Sequence, residues 1–138
     1  MGNEAAERLQ AFLDRVPYVG FLGLRAELDG DEMTAILPFK TPLVGNTNIP
    51  ALHGGVIGAF LEATALAQLY VAHPGRLAKT VDITIEYLRP GLAQTAFARA
   101  ELLKVGRRVA NVHVRAWQDT PAKPFATLGG HFLLRDAS

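Results

Sequence analysis

The chain has 138 residues, 49% of them hydrophobic and 20% charged, with a net charge of +1. That length supports one hydrophobic core and not two, so residues 1–138 are expected to form a single domain. Interspersed acidic and basic residues argue against a nucleic-acid footprint or a polybasic membrane anchor, and the lack of cysteine excludes disulfides, thiolate nucleophiles and cysteine-bound metals.

Residues 3–15 place Leu9, Phe12, Leu13 and Val16 at helical spacing behind Asn3 as a possible cap, which predicts a short amphipathic helix ended by Pro17. Glu4, Glu7, Arg8 and Asp14 interrupt this segment, so it lacks the apolar core of a signal peptide and the cytoplasm is the expected location. Two extended runs, 21–28 and 32–39, flank Asp29-Gly30-Asp31 and predict a hairpin. Pro42, Gly45, Asn46, Asn48 and Pro50 then predict a loop over 40–52.

From Gly54 to about His73, the alanine, leucine and isoleucine content predicts a helix that Pro74-Gly75 stops. It is apolar on nearly all sides, yet it contains Glu62 and Gln68 and has no basic flank at its start. A buried core helix fits better than a membrane span. Strand-like runs follow at 79–88, 93–104, 107–118 and 124–135, interrupted by Arg89-Pro90-Gly91 and Gly106. The predicted fold is α+β, with long antiparallel strands curled around one central helix that needs no polar face.

Leu52-His53-Gly54-Gly55 stands directly before that helix, and Glu62 follows the histidine by nine residues. With Thr80-Val81-Asp82, Tyr87-Leu88-Arg89-Pro90-Gly91, Gly106-Arg107 and Ala126-Thr127-Leu128-Gly129-Gly130-His131-Phe132, these elements in this order resemble the hotdog-fold acyl-CoA thioesterases of the phenylacetate-pathway type. The resemblance covers nearly all of the chain after the first helix. It implies a hotdog fold, an antiparallel β-sheet wrapped around one long central helix, and hydrolysis of an acyl-CoA thioester with no cofactor. Two positions depart from the pattern. Glu62 stands where many members carry aspartate, and Thr47 occupies the position where an asparagine is usual, with Asn46 and Asn48 on either side as candidate substrate contacts.

A helix amino terminus offers unpaired N–H groups and partial positive charge, and glycines there let a carbonyl approach closely. The resemblance implies Gly54 or Gly55 as the oxyanion donor; the plainer alternative is tight packing of the helix start. Glu62, a lone carboxylate in apolar sequence, is a candidate nucleophile or general base, against a buried glutamate paired with an arginine or capping a neighbouring amide. His53 is a candidate catalytic residue, although a residue at that place more often orders the loop. Thr80 takes the place of a serine or threonine that the resemblance implies helps to position water or carboxylate. Arg89, Arg107 and Arg108 suit the phosphates of coenzyme A, against ordinary solvated surface charge. The acyl pocket is expected to draw on Phe60, Leu61, Tyr70, Phe21 and Leu43. His73, His113 and His131 lack metal-site spacing, so no metal is expected.

Gly54 and Glu62 lie eight residues apart on one helix, about 12 Å at about 1.5 Å per residue, too far for both to touch one thioester carbon. A second, antiparallel copy of the helix across a twofold axis brings Glu62 of one chain to Gly54 of the other. The spacing therefore predicts an obligate homodimer with two composite sites, and the resemblance implies pairing of dimers into a tetramer. Competing readings are a hotdog hydroxyacyl-thioester dehydratase, which needs the imidazole as base, and a non-catalytic acyl-CoA binding domain, which needs no carboxylate.

Overall fold

The computed structural model describes residues 2–46 and 48–137. It opens with helix α1, Gly2–Asp14, which places Asn3 inside the helix rather than before it, and a second short helix, α2, Pro17–Leu22. Here the structure differs from the extended run predicted from residue 21. Pro17 sits at the start of α2, where its fixed φ suits a helix and its missing N–H costs nothing. Gly23, with φ 75°, gives the left-handed stop. Strand β1 begins only at Arg25 and runs to Asp29; it pairs with β2, Glu32–Leu37, across Gly30 and Asp31.

The segment predicted as a loop is partly ordered, with a 3-10 turn at Thr41–Leu43 and a small hairpin of β3, Val44–Asn46, and β4, Ile49–Leu52. Helix α3 spans Gly54–Ala72. Four long strands follow: β5, Arg76–Tyr87; β6, Ala96–Val105; β7, Val109–Trp117; and β8, Ala126–Asp136. The six-stranded sheet is ordered β1-β2-β6-β7-β8-β5, with every neighbouring pair antiparallel. Strand β5 is therefore an edge, and a long one.

Strand alternation decides what surrounds α3. Val112, Val114, Leu128 and Phe132 are buried on the concave face, while their neighbours Asn111, His113 and His131 point the other way. Ala96, Ala98, Ala110 and Ala116 are also fully buried, and their small side chains leave room for Phe60 and Leu61 of α3. Truncating a fully buried side chain such as Phe60 to alanine costs about 3–5 kcal/mol. The polar groups of α3 are satisfied locally. Thr64 donates to the Phe60 carbonyl at 2.7 Å, and Gln68 accepts from the Met33 amide at 3.2 Å and donates to the Asp31 carbonyl at 2.9 Å. By length and composition α3 is apolar enough to cross a membrane, but in this fold it is the core helix.

Candidate active site

At the start of α3, His53 is the N-cap, with extended φ −62° and ψ 135°. Its Nδ1 accepts the Gly55 N–H at 2.9 Å, so that amide is engaged by the cap. Among the described residues, the Gly54 N–H makes no hydrogen bond. The surroundings hold this geometry. The His53 N–H donates to the Leu43 carbonyl at 2.9 Å. The imidazole lies so close to Gly45 that a Cβ there would stand 2.9 Å from His53 Cδ2, which ties the β3–β4 hairpin to the cap. The Tyr87 hydroxyl donates to the Gly54 carbonyl at 2.8 Å and fixes the first helical turn to the end of β5.

Two turns further along, Glu62 is half-buried, and its Oε2 accepts the Thr80 hydroxyl at 2.8 Å. The reading of Glu62 as one half of an arginine ion pair is not met. Among the described residues the ion pairs are Arg99 with Glu32 and His131 with Asp82. Thr80 sits at a register shift in the β5–β8 pairing, where Val81 is the extra residue before Asp82 meets His131. Such bulges re-aim side chains. Strand β8 accommodates it with Gly130, where a Cβ would lie 2.6 Å from the Asp82 carbonyl oxygen.

Glu62 opens into a cavity of about 180 Å³ between α3 and the α1–α2 pair. Its apolar wall includes Leu13, Val16, Tyr18 and Val19 on one side and Ala59 and Ala63 on the other. The residues expected to wall an acyl pocket do not line this cavity. Phe60, Leu61 and Leu43 are fully buried in the core, Tyr70 stacks on Phe12 at 4.5 Å between ring centroids, and Phe21 stacks on Tyr18 at 5.6 Å, half exposed.

The candidate substrate-binding residues lie elsewhere. Asn46 and Asn48 are exposed at the tip of the β3–β4 hairpin, where Asn46 Oδ1 accepts the Asn48 amide at 2.9 Å; Thr47 lies outside the described residues. Arg89 is exposed just beyond β5. Arg107 and Arg108 occupy the β6–β7 turn beside an open hollow of about 600 Å³, shared with Lys104, Asn111 and His131. The Arg76 guanidinium donates to the carbonyls of Gly106 and Arg107 and holds that turn. None of these basic residues lines the Glu62 cavity.

Sequence reasoning did not assign a site role to Tyr87 or to the α1–α2 walls. Tyr87 ends an alternating strand and reads as an ordinary β residue, and the walls come from a segment read partly as extended chain.

An antiparallel sheet curled around one long apolar helix is the architecture of the hotdog class. The thioesterase superfamily matches residues 50–125, more than half of the chain. A medium/long-chain acyl-CoA thioesterase of Escherichia coli, YigI, is 31% identical over 121 residues, covering 76% of this chain and 77% of its own. A protein of known structure from Chromobacterium violaceum is 38% identical with TM-score 0.76, covering 99% of this chain and 98% of that one. One from Pseudomonas aeruginosa is 28% identical with TM-score 0.82, covering 94% and 98%. The chain belongs to the thioesterase superfamily and is a thioester hydrolase with the hotdog fold.

Proposed function

We propose that this protein hydrolyses acyl-CoA thioesters in a composite site completed by a second copy of the same chain. The observation that carries this reading is the Glu62 carboxylate, set in an apolar cavity, held by the Thr80 hydroxyl at 2.8 Å and paired with no cation among the described residues. A carboxylate so placed is costly unless it works. The name of the Escherichia coli relative supports acyl-CoA as the substrate.

Glu62 attacks the thioester carbonyl carbon to give an anhydride that water then opens, or it removes a proton from water that attacks the same carbon. Either way, negative charge develops on the carbonyl oxygen. The Gly54 N–H of the partner chain donates a hydrogen bond to that oxygen, aided by the positive end of α3. The C–S bond breaks, the coenzyme A thiolate takes up a proton, and the free acid leaves. Thr80 positions the carboxylate, and His53 positions the helix start by engaging Gly55 instead of Gly54.

The need for a partner follows from about 12 Å of helix between Gly54 and Glu62. Edge strand β5 supplies a surface for it: an unpaired ladder with Val81 and Tyr87 more than half exposed. Dimers pair further into tetramers in this reading. Arg107, Arg108 and Arg89 take the coenzyme A phosphates, with Asn46 and Asn48 near the entry. One domain carries the whole activity, and a cytoplasmic location agrees with a chain free of cysteine. Release of free thiol from a series of acyl-CoAs tests the reading. Glu62→Gln is expected to lower kcat by about 10²–10⁴-fold, and a wild-type rate would contradict it.

A further inference from the structure

We infer that the α1–α2 pair sets an upper limit on the acyl group, with Val19 facing Ala59 and Ala63 across the cavity as the gauge. This rests on the reading of Glu62 as the hydrolytic carboxylate, since the cavity matters as an acyl site only if the chemistry occurs at its mouth. The cavity holds about 180 Å³ and contains Glu62 in its wall, so a carbonyl carbon at the carboxylate directs its acyl chain inward among apolar side chains.

The volume decides how much chain can follow. An apolar cavity of about 150 Å³ is enough for one benzene molecule, so this one takes compact acyl groups of up to about six to eight carbons. A chain of about twelve carbons carries twice the carbon of benzene and does not fit. The floor of the cavity is buried: Leu22 is 1% exposed, Leu13 4% and Val19 7%, and all three belong to the main core. A longer chain would have to displace core side chains or turn back past Val16 and Tyr18, which are half exposed at the rim.

The gauge lies in a part of the molecule that the family match does not include. The thioesterase superfamily match begins at residue 50, whereas α1 and α2 end at Leu22. Ala59 and Ala63 fall within the match, and their small side chains provide the space that the N-terminal helices enclose. Acyl length is therefore read by the N-terminal helices, and it need not follow the medium/long-chain preference in the name of the Escherichia coli relative.

The test is kcat/KM for butanoyl-, hexanoyl-, octanoyl-, dodecanoyl- and hexadecanoyl-CoA, with wild type, Ala63→Leu, Val19→Ala and Glu62→Gln. Wild type is expected to favour hexanoyl- over dodecanoyl-CoA by at least about tenfold, a ratio that reflects the limited apolar space above a buried floor. Ala63→Leu fills the cavity and should shift the optimum to butanoyl-CoA. Val19→Ala widens it and should raise the relative rate on octanoyl- and dodecanoyl-CoA. Thermal melting of both variants establishes that they are folded, and their opposite shifts cannot both come from instability. A wild-type optimum at dodecanoyl- or hexadecanoyl-CoA, or an unchanged length profile in both folded variants, overturns the inference while Glu62-dependent hydrolysis persists. If no acyl-CoA is hydrolysed, or if Glu62→Gln is as active as wild type, the underlying reading falls and takes this one with it.

Discussion

On the inner side of the sheet, Glu62 and Thr80 meet at the mouth of an apolar cavity, whereas on the outer side Lys104, Arg107 and Arg108 border an open hollow with Asn111 and His131. The inner region is made by packing: its polar pair is held between a helix and a strand bulge, beside hydrophobic walls. The outer region is made by charge on a turn, where solvent screens every interaction. Changes inside should therefore act on the chemical step, and changes outside should act on substrate capture.

The largest effect after loss of Glu62 is expected from Gly54→Pro. Proline at the first helical position keeps the helix, and the extended backbone of His53 is the conformation a residue before proline prefers. A Cβ at Gly54 would meet the Tyr87 ring and hydroxyl at ordinary contact, 3.6 Å or more. The variant deletes the N–H and sets the proline ring where the carbonyl oxygen would approach. A fall in kcat of about 10²–10³ with unchanged melting temperature is expected, and full activity would remove Gly54 from the oxyanion role.

Thr80→Val tests the inner pair more gently. It removes the hydroxyl that donates to Glu62, and kcat should fall about tenfold with little change in KM. Thr80→Ser should restore most of the rate, because it returns the donor; a serine variant as slow as the valine one would assign Thr80 to strand packing alone. The smallest effect belongs outside. Arg107→Glu should raise KM a few-fold and leave kcat near wild type, with the difference shrinking at high salt. An effect on kcat instead would break the division between the two faces.

How much of this was legible in the sequence depends on which physical signal each part leaves there. The four long strands and α3 follow from alternation and from Pro74-Gly75, and their observed limits differ from the expected ones by a few residues. The pair α1–α2 was only half legible. Tyr18, Val19 and Phe21 favour strands by type, and Pro17 reads as the end of one helix although it also begins the next. The lining of the Glu62 cavity was not legible for a related reason. A helix apolar on all sides gives no hint of which large residue faces a cavity, so Phe60 and Leu61 stood out by size, while the cavity wall is made by Ala59 and Ala63.

The site residues on α3 were visible as Gly54, Gly55 and Glu62, but their roles were not separable there. Only the position of the His53 ring distinguishes the Gly55 amide, which it engages, from the Gly54 amide, which it does not. Likewise, the contact between Thr80 and Glu62 joins residues 18 apart in sequence and depends on a bulge that no local pattern announces.

The shared site is tested most directly by complementation. Glu62→Gln and Gly54→Pro chains, each inactive alone, are co-expressed with different tags and purified through both. If the site takes Glu62 from one chain and Gly54 from the other, each mixed dimer contains one intact site, and activity should return at about half the wild-type rate per mixed dimer. If both residues act within one chain, every site in the mixture carries a lesion and no activity returns, a result that would contradict the composite site.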